Sequence, residues 1–235
     1  MVLVDDLDAP VLSPDDRHHL ERVLRLRPGD PLTLADGAGR WRTGVLAPDF
    51  APDVAPDVAP DIATTPIVTE PFAGPELAIG FALVKGDKPE LIVQKLTELG
   101  VDRIIPFAAA RSVVRWDAVK AAKAVSRLRS VARAAAMQSH RPRLPIVEDL
   151  AALEDLAARP GVVRAERGGH APARGHHLVL VGPEGGWAAE EEALEIPTVA
   201  FAQNVLRAET AAITAGAVIT ALRSGIIEPR GTCAT

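Results

Sequence analysis

A glycine-rich loop follows a short apolar run near the carboxyl end of the sequence. Residues 179–181 read Val-Leu-Val, and the loop itself reads Gly182-Pro183-Glu184-Gly185-Gly186. Three glycines in five residues let a backbone approach a ligand closely and adopt positive φ. The loop matches neither a dinucleotide fingerprint nor a Walker sequence, and the acids at 190–192 would repel a phosphate. We therefore expect it to enclose a nucleoside or a cation, with a plain tight turn as the alternative.

A second group lies where an almost uncharged helix is predicted to begin. Arg207 and Glu209 precede residues 212–222, which carry no charge and must be buried. Burying an arginine and a glutamate is unfavourable unless the charges are paired or used. The two residues are therefore either catalytic groups or a structural ion pair with a capping role.

A basic segment could contact phosphates. Residues 103–143 carry ten Lys or Arg and one acid, a net charge of +9, while the rest of the chain carries −14. Local charge governs attraction to a polyanion, so this segment is a candidate RNA footprint; a solvated helix face is the alternative. Gln138, His140 and Arg141 end the segment and offer donors to phosphates or base edges, or merely form a polar helix terminus.

The elements that must position these groups alternate between strands and helices. Asp87 with Glu90 predicts a capping box for one helix, and Asp117 is a candidate cap for the next. This alternation predicts a mostly parallel sheet covered on both faces, with ligands beyond the carboxyl ends of its strands. The expected strands are 77–84, 101–107, 162–165, 178–181 and 198–201.

The first 46 residues predict a different architecture. Short strands alternate with turns at 27–30 and 36–37, and Ser13 can cap one small helix that carries residues 18–24, so we expect a small β-barrel. Ala-Pro-Asp then repeats at 47, 51, 55 and 59. Proline at every fourth position blocks helix and sheet hydrogen bonds, so residues 47–66 are predicted to be an extended insertion.

Composition excludes several classes of protein. Of the 235 residues 48% are hydrophobic, yet no apolar run is long enough for a membrane span. The amino terminus has no signal-peptide pattern, and the single cysteine, Cys233, has no partner within the chain. The histidines have no metal-ligand spacing. These features predict a cytoplasmic protein without a metal site.

Seven motifs, taken in their order and spacing, resemble one family over nearly the whole chain outside the insertion. The chain is similar to the RsmE-type ribosomal RNA small-subunit uridine-N3 methyltransferases of the SPOUT superfamily. The motifs are His19-Leu20-x-Arg22-Val23-Leu24-Arg25, Lys85-Gly86-Asp87-Lys88, residues 94–101 (Gln-Lys-Leu-Thr-Glu-Leu-Gly-Val), Arg111-Ser112-Val113, Gln138-Ser139, Gly182-Pro183-Glu184-Gly185-Gly186 and Leu206-Arg207-Ala208-Glu209-Thr210-Ala211.

The resemblance implies a fold class and a cofactor. The fold is α/β: a PUA-like β-barrel over residues 1–75, and a SPOUT domain with a trefoil knot over 76–235 that works as a homodimer. The cofactor is S-adenosyl-L-methionine. Its pocket would comprise Leu180, Val181, Gly182, Pro183, Glu184, Gly185, Gly186, Val205, Leu206, Arg207, Thr210 and Ala211.

The resemblance also implies a reaction, the methylation of N3 of a uridine in 16S ribosomal RNA of the small subunit. Glu209 is then a candidate general base, and Arg207 a candidate stabiliser of charge on the uracil oxygens. A ribose 2′-O-methyltransferase and a non-catalytic RNA-binding module are the alternatives. The residues expected to bind RNA are Arg17, Arg22, Arg25, Arg111, Arg115, Lys123, Arg127, Gln138 and Arg141.

Overall fold

A computed structural model describes residues 1–18, 20, 22, 25–46, 65–72 and 74–228. The chain forms two compact units. The first comprises Met1–Phe72 and Ala136–Leu144, and the second comprises Ala73–Ala135 and Pro145–Thr235. Most of the predicted Ala-Pro-Asp insertion, residues 47–64, lies outside the described residues, as do His19, Val23 and Leu24 of the first predicted helix.

The first unit contains a small four-stranded sheet in the order β1-β2-β3-β4. Strands β1 and β2 pair in parallel, and the other two pairs are antiparallel. Its core is aliphatic, with Leu7, Leu20, Leu34 and Leu46 almost fully buried. The sequence predicted a small β-barrel, and the described residues of this unit form a small β-sheet. The strands are β1 (Val2–Leu3), β2 (Pro31–Ala35), β3 (Arg40–Val45) and β4 (Val68–Thr69).

Helix α1 (Pro14–His18) begins where the sequence predicted it. The Ser13 hydroxyl oxygen accepts a 3.1 Å hydrogen bond from the backbone N–H of Asp16, which satisfies one otherwise unpaired donor of the first turn. The Ser13 hydroxyl in turn donates to the Asp16 carboxylate at 2.6 Å. The predicted cap is therefore confirmed.

The second unit is built on a six-stranded sheet in the order β10-β8-β9-β5-β6-β7, and every pair of neighbours is parallel. The predicted parallel sheet is thus confirmed, and β9 and β5 lie at its centre. Its strands are β5 (Ala78–Ala82), β6 (Arg103–Phe107), β7 (Ile146–Val147), β8 (Val162–His170), β9 (Leu178–Val181) and β10 (Thr198–Val199).

Apolar side chains cover both faces of this sheet. Along β5, Ile79 and Phe81 pack into one core cluster while Ala78 and Ala82 pack into another, because alternate residues of a strand face opposite sides. Three helices contribute to the first cluster, and α4 contributes to the second. The helices are α2 (Lys88–Glu98), α3 (Ala118–Gln138), α4 (Leu153–Ala157), α5 (Ala189–Glu192) and α6 (Ala208–Ser224).

The two predicted helix caps of this unit have different outcomes. Asp117 caps α3, because its carboxylate accepts a 2.8 Å hydrogen bond from the backbone N–H of Lys120. Asp87 precedes α2 but makes no side-chain capping bond, and Glu90 forms a 3.0 Å ion pair with Arg127 of α3. The predicted capping box is therefore wrong, since a tertiary charge partner holds the glutamate away from the helix start.

Strand β8 is longer than the sequence predicted. It was expected to end at Ala165 but continues to His170, and His170 pairs with Val199 of β10. Gly169 explains the close pairing, because a Cβ there would lie 2.6 Å from the backbone nitrogen of Val199. Glycine is an unfavourable strand residue in isolation, so the local pattern concealed this extension.

Candidate functional site

A cavity of about 390 Å³ opens in the second unit beyond the carboxyl ends of β9 and β10, beside the last residues of β8. This is the edge at which open parallel sheets bind their ligands. The cavity is lined by Arg111, Ala165, Glu166, Arg167, Val181, Gly182, Pro183, Glu184, Gly186, Trp187, Glu192, Phe201, Ala202, Asn204, Val205, Leu206, Ala208 and Ala211.

The glycine loop after β9 forms one wall, and two of its positions are closely packed. A Cβ at Gly182 would lie 2.7 Å from the Trp187 ring, and a Cβ at Gly185 would lie 3.2 Å from both Cβ and the carbonyl oxygen of Arg111. Gly186 has a φ of +73°, in the left-handed region that side chains disfavour. The glycines therefore serve both the turn and the close packing beside the cavity.

Trp187 and Glu191 hold this loop in place. The Trp187 ring stacks on Phe107 at the end of β6, with the ring planes 3° apart and the centroids separated by 6.1 Å. The buried carboxylate of Glu191 accepts a 2.7 Å bond from the N–H of Ala110 and a 2.8 Å bond from the N–H of Ala188. One acid of the 190–192 run thus has a structural role, since it joins the loops that follow β6 and β9.

The polar lining is mixed in charge. Three carboxylates line the cavity, those of Glu166, Glu184 and Glu192, together with the guanidinium groups of Arg111 and Arg167. Apolar side chains such as Phe201 and Leu206 complete the wall. Acids suit a ligand that carries positive charge, and an arginine suits a ligand carboxylate.

Lys88, at the start of α2, links the two segments that the sequence singled out. Its Nζ donates a 2.6 Å hydrogen bond to Oε1 of Glu184 and lies 3.3 Å from Oε2 of Glu209. The bond to Glu184, reinforced by Glu209, raises the pKa of Lys88. The bond from Lys88, with weaker attraction from Arg207 and Lys85, lowers the pKa of the Glu184 carboxyl.

Glu209 and Arg207 have unlike surroundings. The Glu209 side chain is only 12% exposed, and within the described part of the chain its Oε2 has no hydrogen-bond partner, although Lys88 is at ion-pair distance. Arg207 is exposed, and its backbone, not its side chain, begins α6. The predicted alternative was an ion pair between these two residues, but the ion-pair partner of Glu209 is Lys88.

The structure brings together most of the residues predicted to bind the cofactor. Leu180 lies in the sheet core, Gly185 packs on Arg111, and Arg207 and Thr210 are exposed at the start of α6, so these four flank the cavity without lining it. The predicted residues that do line it are Val181, Gly182, Pro183, Glu184, Gly186, Val205, Leu206 and Ala211.

Several residues at this site were not predicted. Trp187 follows the glycine loop directly, and this position was the one sequence feature that could have indicated its place at the site. Glu166 and Arg167 belong to the unpredicted extension of β8. Lys88 lies in a motif that carried the family resemblance, but its two partners are 96 and 121 positions away in sequence, so no local pattern indicated them.

The residues expected to bind RNA are distributed over both units. Arg17, Arg22, Arg25, Gln138 and Arg141 belong to the first unit, and Arg111, Arg115, Lys123 and Arg127 to the second. Three of the second group already have protein partners: Arg111 donates to the carbonyl of Gly185 and Arg115 to that of Ala110, each at 3.4 Å, and Arg127 pairs with Glu90. Arg115 and Lys123 are exposed.

Comparison with known proteins assigns the family. A model described as an RNA methyltransferase domain matches residues 73–220, and an RNA methyltransferase PUA domain matches residues 12–48. The chain is 32% identical over 228 residues to the ribosomal RNA small subunit methyltransferase E of Mycobacterium bovis, covering 88% of this chain and 85% of that protein. The chain belongs to this RNA methyltransferase family.

Further members of the methyltransferase E group agree. The Bacillus subtilis protein of the same name is 31% identical over 235 residues, covering 88% of this chain and 89% of its own. A crystal structure of the Neisseria gonorrhoeae methyltransferase E bound to S-adenosyl methionine superposes with a TM-score of 0.73. That structure is 27% identical and covers 94% of this chain and 96% of its own. The matched methyltransferase region contains every residue that lines the cavity.

Among the described residues, no cluster of three or more His, Cys, Asp or Glu side chains is arranged to hold a metal ion. None of the helices within those ranges combines the length and the apolar character of a membrane span. The trefoil knot that the resemblance implies stays a prediction.

Proposed function

We propose that this protein transfers a methyl group from S-adenosylmethionine to N3 of a uridine in 16S ribosomal RNA. The observation that carries the proposal is the juxtaposition of Lys88, Glu184 and Glu209 at the glycine-loop cavity. It places the buried carboxylate of Glu209, which Lys88 contacts at 3.3 Å, beside a ligand-sized pocket that Glu184 lines. The names of the relatives, ribosomal RNA small subunit methyltransferase E, support the same reaction.

The residues of the cavity fit S-adenosylmethionine. Its volume of about 390 Å³ lies within the range of small-molecule and cofactor sites. The close packing at Gly182 and Gly185 lets the backbone of the loop stand at the wall without intervening side chains. The cofactor carries a sulfonium, an ammonium and a carboxylate, and the lining offers Glu166, Glu184 and Glu192 for the cations and Arg111 and Arg167 for the carboxylate.

When bound, S-adenosylmethionine supplies an electrophilic methyl group on sulfur, so the protein's main task is to align the acceptor with it. N3 of uridine carries a proton, which must leave as the new N–C bond forms. Glu209 is suited to accept that proton, because its Oε2 is buried and has no hydrogen-bond partner in the described part of the chain. Lys88, 3.3 Å from that oxygen, would hold the carboxylate in position.

Arg207 would act on the other side of the base. Loss of the N3 proton leaves negative charge on the two uracil oxygens, and a guanidinium group can stabilise that charge in the transition state. Arg207 is exposed at the start of α6, two residues before Glu209, and so is accessible to a base entering from solvent. Because N3 is a pairing position, the uridine must be unpaired or flipped out to reach this site.

The remaining parts of the proposal concern the substrate and assembly. We infer that the protein acts as a homodimer in the cytoplasm on 16S RNA within the small ribosomal subunit. The arginines, lysine and glutamine predicted to bind RNA would dock the phosphate backbone. The net charge of +9 over residues 103–143 supports such a role despite the acidic chain as a whole.

The decisive test incubates the purified protein with labelled S-adenosylmethionine and small subunits from a strain that lacks the native N3 methylation. After nuclease digestion, a single labelled N3-methyluridine is expected, and fully methylated subunits serve as the unlabelled control. A label on ribose would identify a 2′-O-methyltransferase. Tight RNA binding without affinity for S-adenosylmethionine would indicate an RNA-binding module, and cofactor binding without a labelled product would refute the proposed substrate.

A further inference from the structure

A second cavity, of about 240 Å³, lies in the same unit and at the same edge of the sheet. It shares no lining residue with the first. The loop between β5 and α2 borders both: Lys88 pairs with Glu184 and Glu209 at the first cavity, whereas Lys85 and Gly86 line the second. The second cavity is lined by Val84, Lys85, Gly86, Pro89, Glu90, Val114, Trp116, Lys120, Ala124 and Leu128.

Glu90 gives this cavity an unused hydrogen-bond acceptor. Its Oε1 forms a 3.0 Å ion pair with Nε of Arg127, which fixes the carboxylate on the surface of α2. Its Oε2 is buried and, among the residues that the structure describes, has no hydrogen-bond partner. A buried acceptor without a partner is unfavourable by itself, so this oxygen is poised to receive an N–H from a ligand.

The other polar and aromatic groups of the cavity indicate what that ligand is. Trp116 is partly buried and packs against the core, so its ring is held in the wall. Lys85 and Lys120 are exposed at the rim. An aromatic ring stacks on any nucleobase, a carboxylate accepts from a base amino group, and lysines attract the phosphate backbone.

We infer that this cavity binds one unpaired nucleotide of the substrate RNA, a neighbour of the target, whose base carries an amino group. Trp116 would stack on the base, and Glu90 would accept hydrogen bonds from it. Uracil has no amino group and offers a carboxylate only its N3–H, so the site would bind the kind of base that is methylated less tightly and thereby help to set the register of the RNA. The inference rests on the proposed function, since it takes RNA as the substrate.

Nucleotide titrations test the site without any methylation step. Saturating S-adenosylmethionine first occupies the other cavity, and GMP, CMP or UMP is then added while tryptophan fluorescence is followed. GMP and CMP are expected to quench the emission at concentrations about tenfold lower than UMP, and Trp116→Phe should remove the quench. Equal quenching by UMP and GMP, or an unchanged quench in Trp116→Phe, would overturn the inference.

RNA binding provides a second readout. Trp116→Ala should weaken the affinity for small-subunit RNA by about tenfold or more, the usual effect of losing one stacked base, while Trp116→Phe retains most of it. Glu90→Gln should weaken GMP binding by about threefold or more, because charged acceptors form stronger hydrogen bonds. Lys120→Ala should also weaken RNA binding, whereas Lys95→Ala, an ion-paired lysine of α2 outside the lining and outside the predicted RNA contacts, serves as the matched control.

The affinity for S-adenosylmethionine reports whether each variant is folded. If Trp116→Ala loses that affinity, the test relies on Glu90→Gln and Trp116→Phe. The site would then be refuted if Glu90→Gln bound both RNA and GMP as tightly as the wild type. Failure of the proposed function has a different signature. Subunits would remain unmethylated while GMP and CMP were still preferred over UMP, and the nucleotide site would stand.

Discussion

The ammonium of Lys88 lies 3.3 Å from the buried Oε2 of Glu209 while it donates a hydrogen bond to Glu184. This lysine therefore joins three segments that are far apart in sequence: the start of α2, the glycine loop after β9 and the first turn of α6. The arrangement places a cation beside the carboxylate proposed to take the N3 proton. It also gives the carboxylate of Glu184 in the glycine loop and that of Glu209 in α6 a shared partner.

Replacement of Lys88 by methionine tests whether this contact positions Glu209. We expect kcat to fall by about tenfold, equivalent to ~1.4 kcal/mol of transition-state stabilisation, with KM for the subunit nearly unchanged. Lys88→Arg should restore part of the rate, because it keeps the charge. Steady-state kinetics on small subunits give both constants. Lys95→Met removes another ion-paired lysine of α2, away from the cavity, and should behave as wild type.

The general-base role of Glu209 has its own test. Glu209→Gln keeps the shape of the side chain but cannot accept a proton, so methyl transfer should slow by about a hundredfold or more. The affinity for S-adenosylmethionine, measured by calorimetry, should change little. Glu98→Gln on α2 is the matched control, since Glu98 pairs with Lys95 outside the cavity. A rate close to that of the wild type would assign the proton to another acceptor.

Arg207→Ala separates transition-state stabilisation from cofactor binding. The helix start should survive this change, because Arg207 begins α6 through its backbone carbonyl, which accepts a 2.8 Å bond from Ala211, and not through its side chain. Turnover should fall by about a hundredfold, as when one donor to a developing oxyanion is removed. Single-turnover rates and cofactor titrations measure the two effects. Equal turnover in the variant would sink the assignment.

The glycine loop allows a matched pair of substitutions. In Gly182→Ala the new Cβ would lie 2.7 Å from Trp187, whose buried ring stacks on Phe107. We expect the protein to lose about 1–3 kcal/mol of stability, as overpacked sites do, and the cofactor affinity to fall about tenfold. Gly175→Ala meets no atom within 4 Å and should leave both quantities unchanged. Thermal unfolding and calorimetry distinguish the two variants.

The parts of this site that were predicted correctly share a local cause. The glycine loop follows β9 directly, and a buried strand followed by glycines and a helix can be recognised from a short stretch of sequence. Beyond that, the parallel sheet followed from the alternation of strand and helix patterns. The order of its strands did not, because the central pairing of β5 with β9 joins segments about one hundred residues apart.

The features that were missed depend on contacts across the fold. Glu90 has the spacing of a capping box, yet Arg127 on another helix captures its carboxylate. Gly168 and Gly169 discourage a strand in isolation, but the neighbouring β10 stabilises the extension of β8 in which they lie. In each case a tertiary partner outweighs a local preference worth about 1 kcal/mol or less.

An ion-pair cluster formed by Glu148, Arg103 and Arg159 makes the stability of the protein depend on pH. The Glu148 carboxylate accepts bonds from Arg159 at 2.8 and 3.0 Å and from Arg103 at 3.0 Å. The bonds from Arg159, supplemented by Arg103, lower the pKa of Glu148 despite its partial burial. A carboxyl whose pKa is lowered by folding stabilises the protein above its ordinary pKa, and this contribution disappears as the pH falls through the lowered value.

Glu148→Gln should therefore reduce the free energy of unfolding by about 1–3 kcal/mol at neutral pH, the range for hydrogen bonds to charged groups. The difference from wild type should shrink as the pH falls from the ordinary pKa of a glutamate through the lowered pKa of Glu148, because in this range the unfolded state binds a proton that the folded carboxylate does not yet bind. Urea unfolding at a series of pH values measures it. Asp149→Asn removes the neighbouring ion pair with Arg129, in which the Asp149 side chain is 84% exposed. This control should change the free energy of unfolding by only about 0.5 kcal/mol at every pH in the series. A penalty for Glu148→Gln that stayed constant from neutral to acidic pH would show that packing, and not charge, accounts for it.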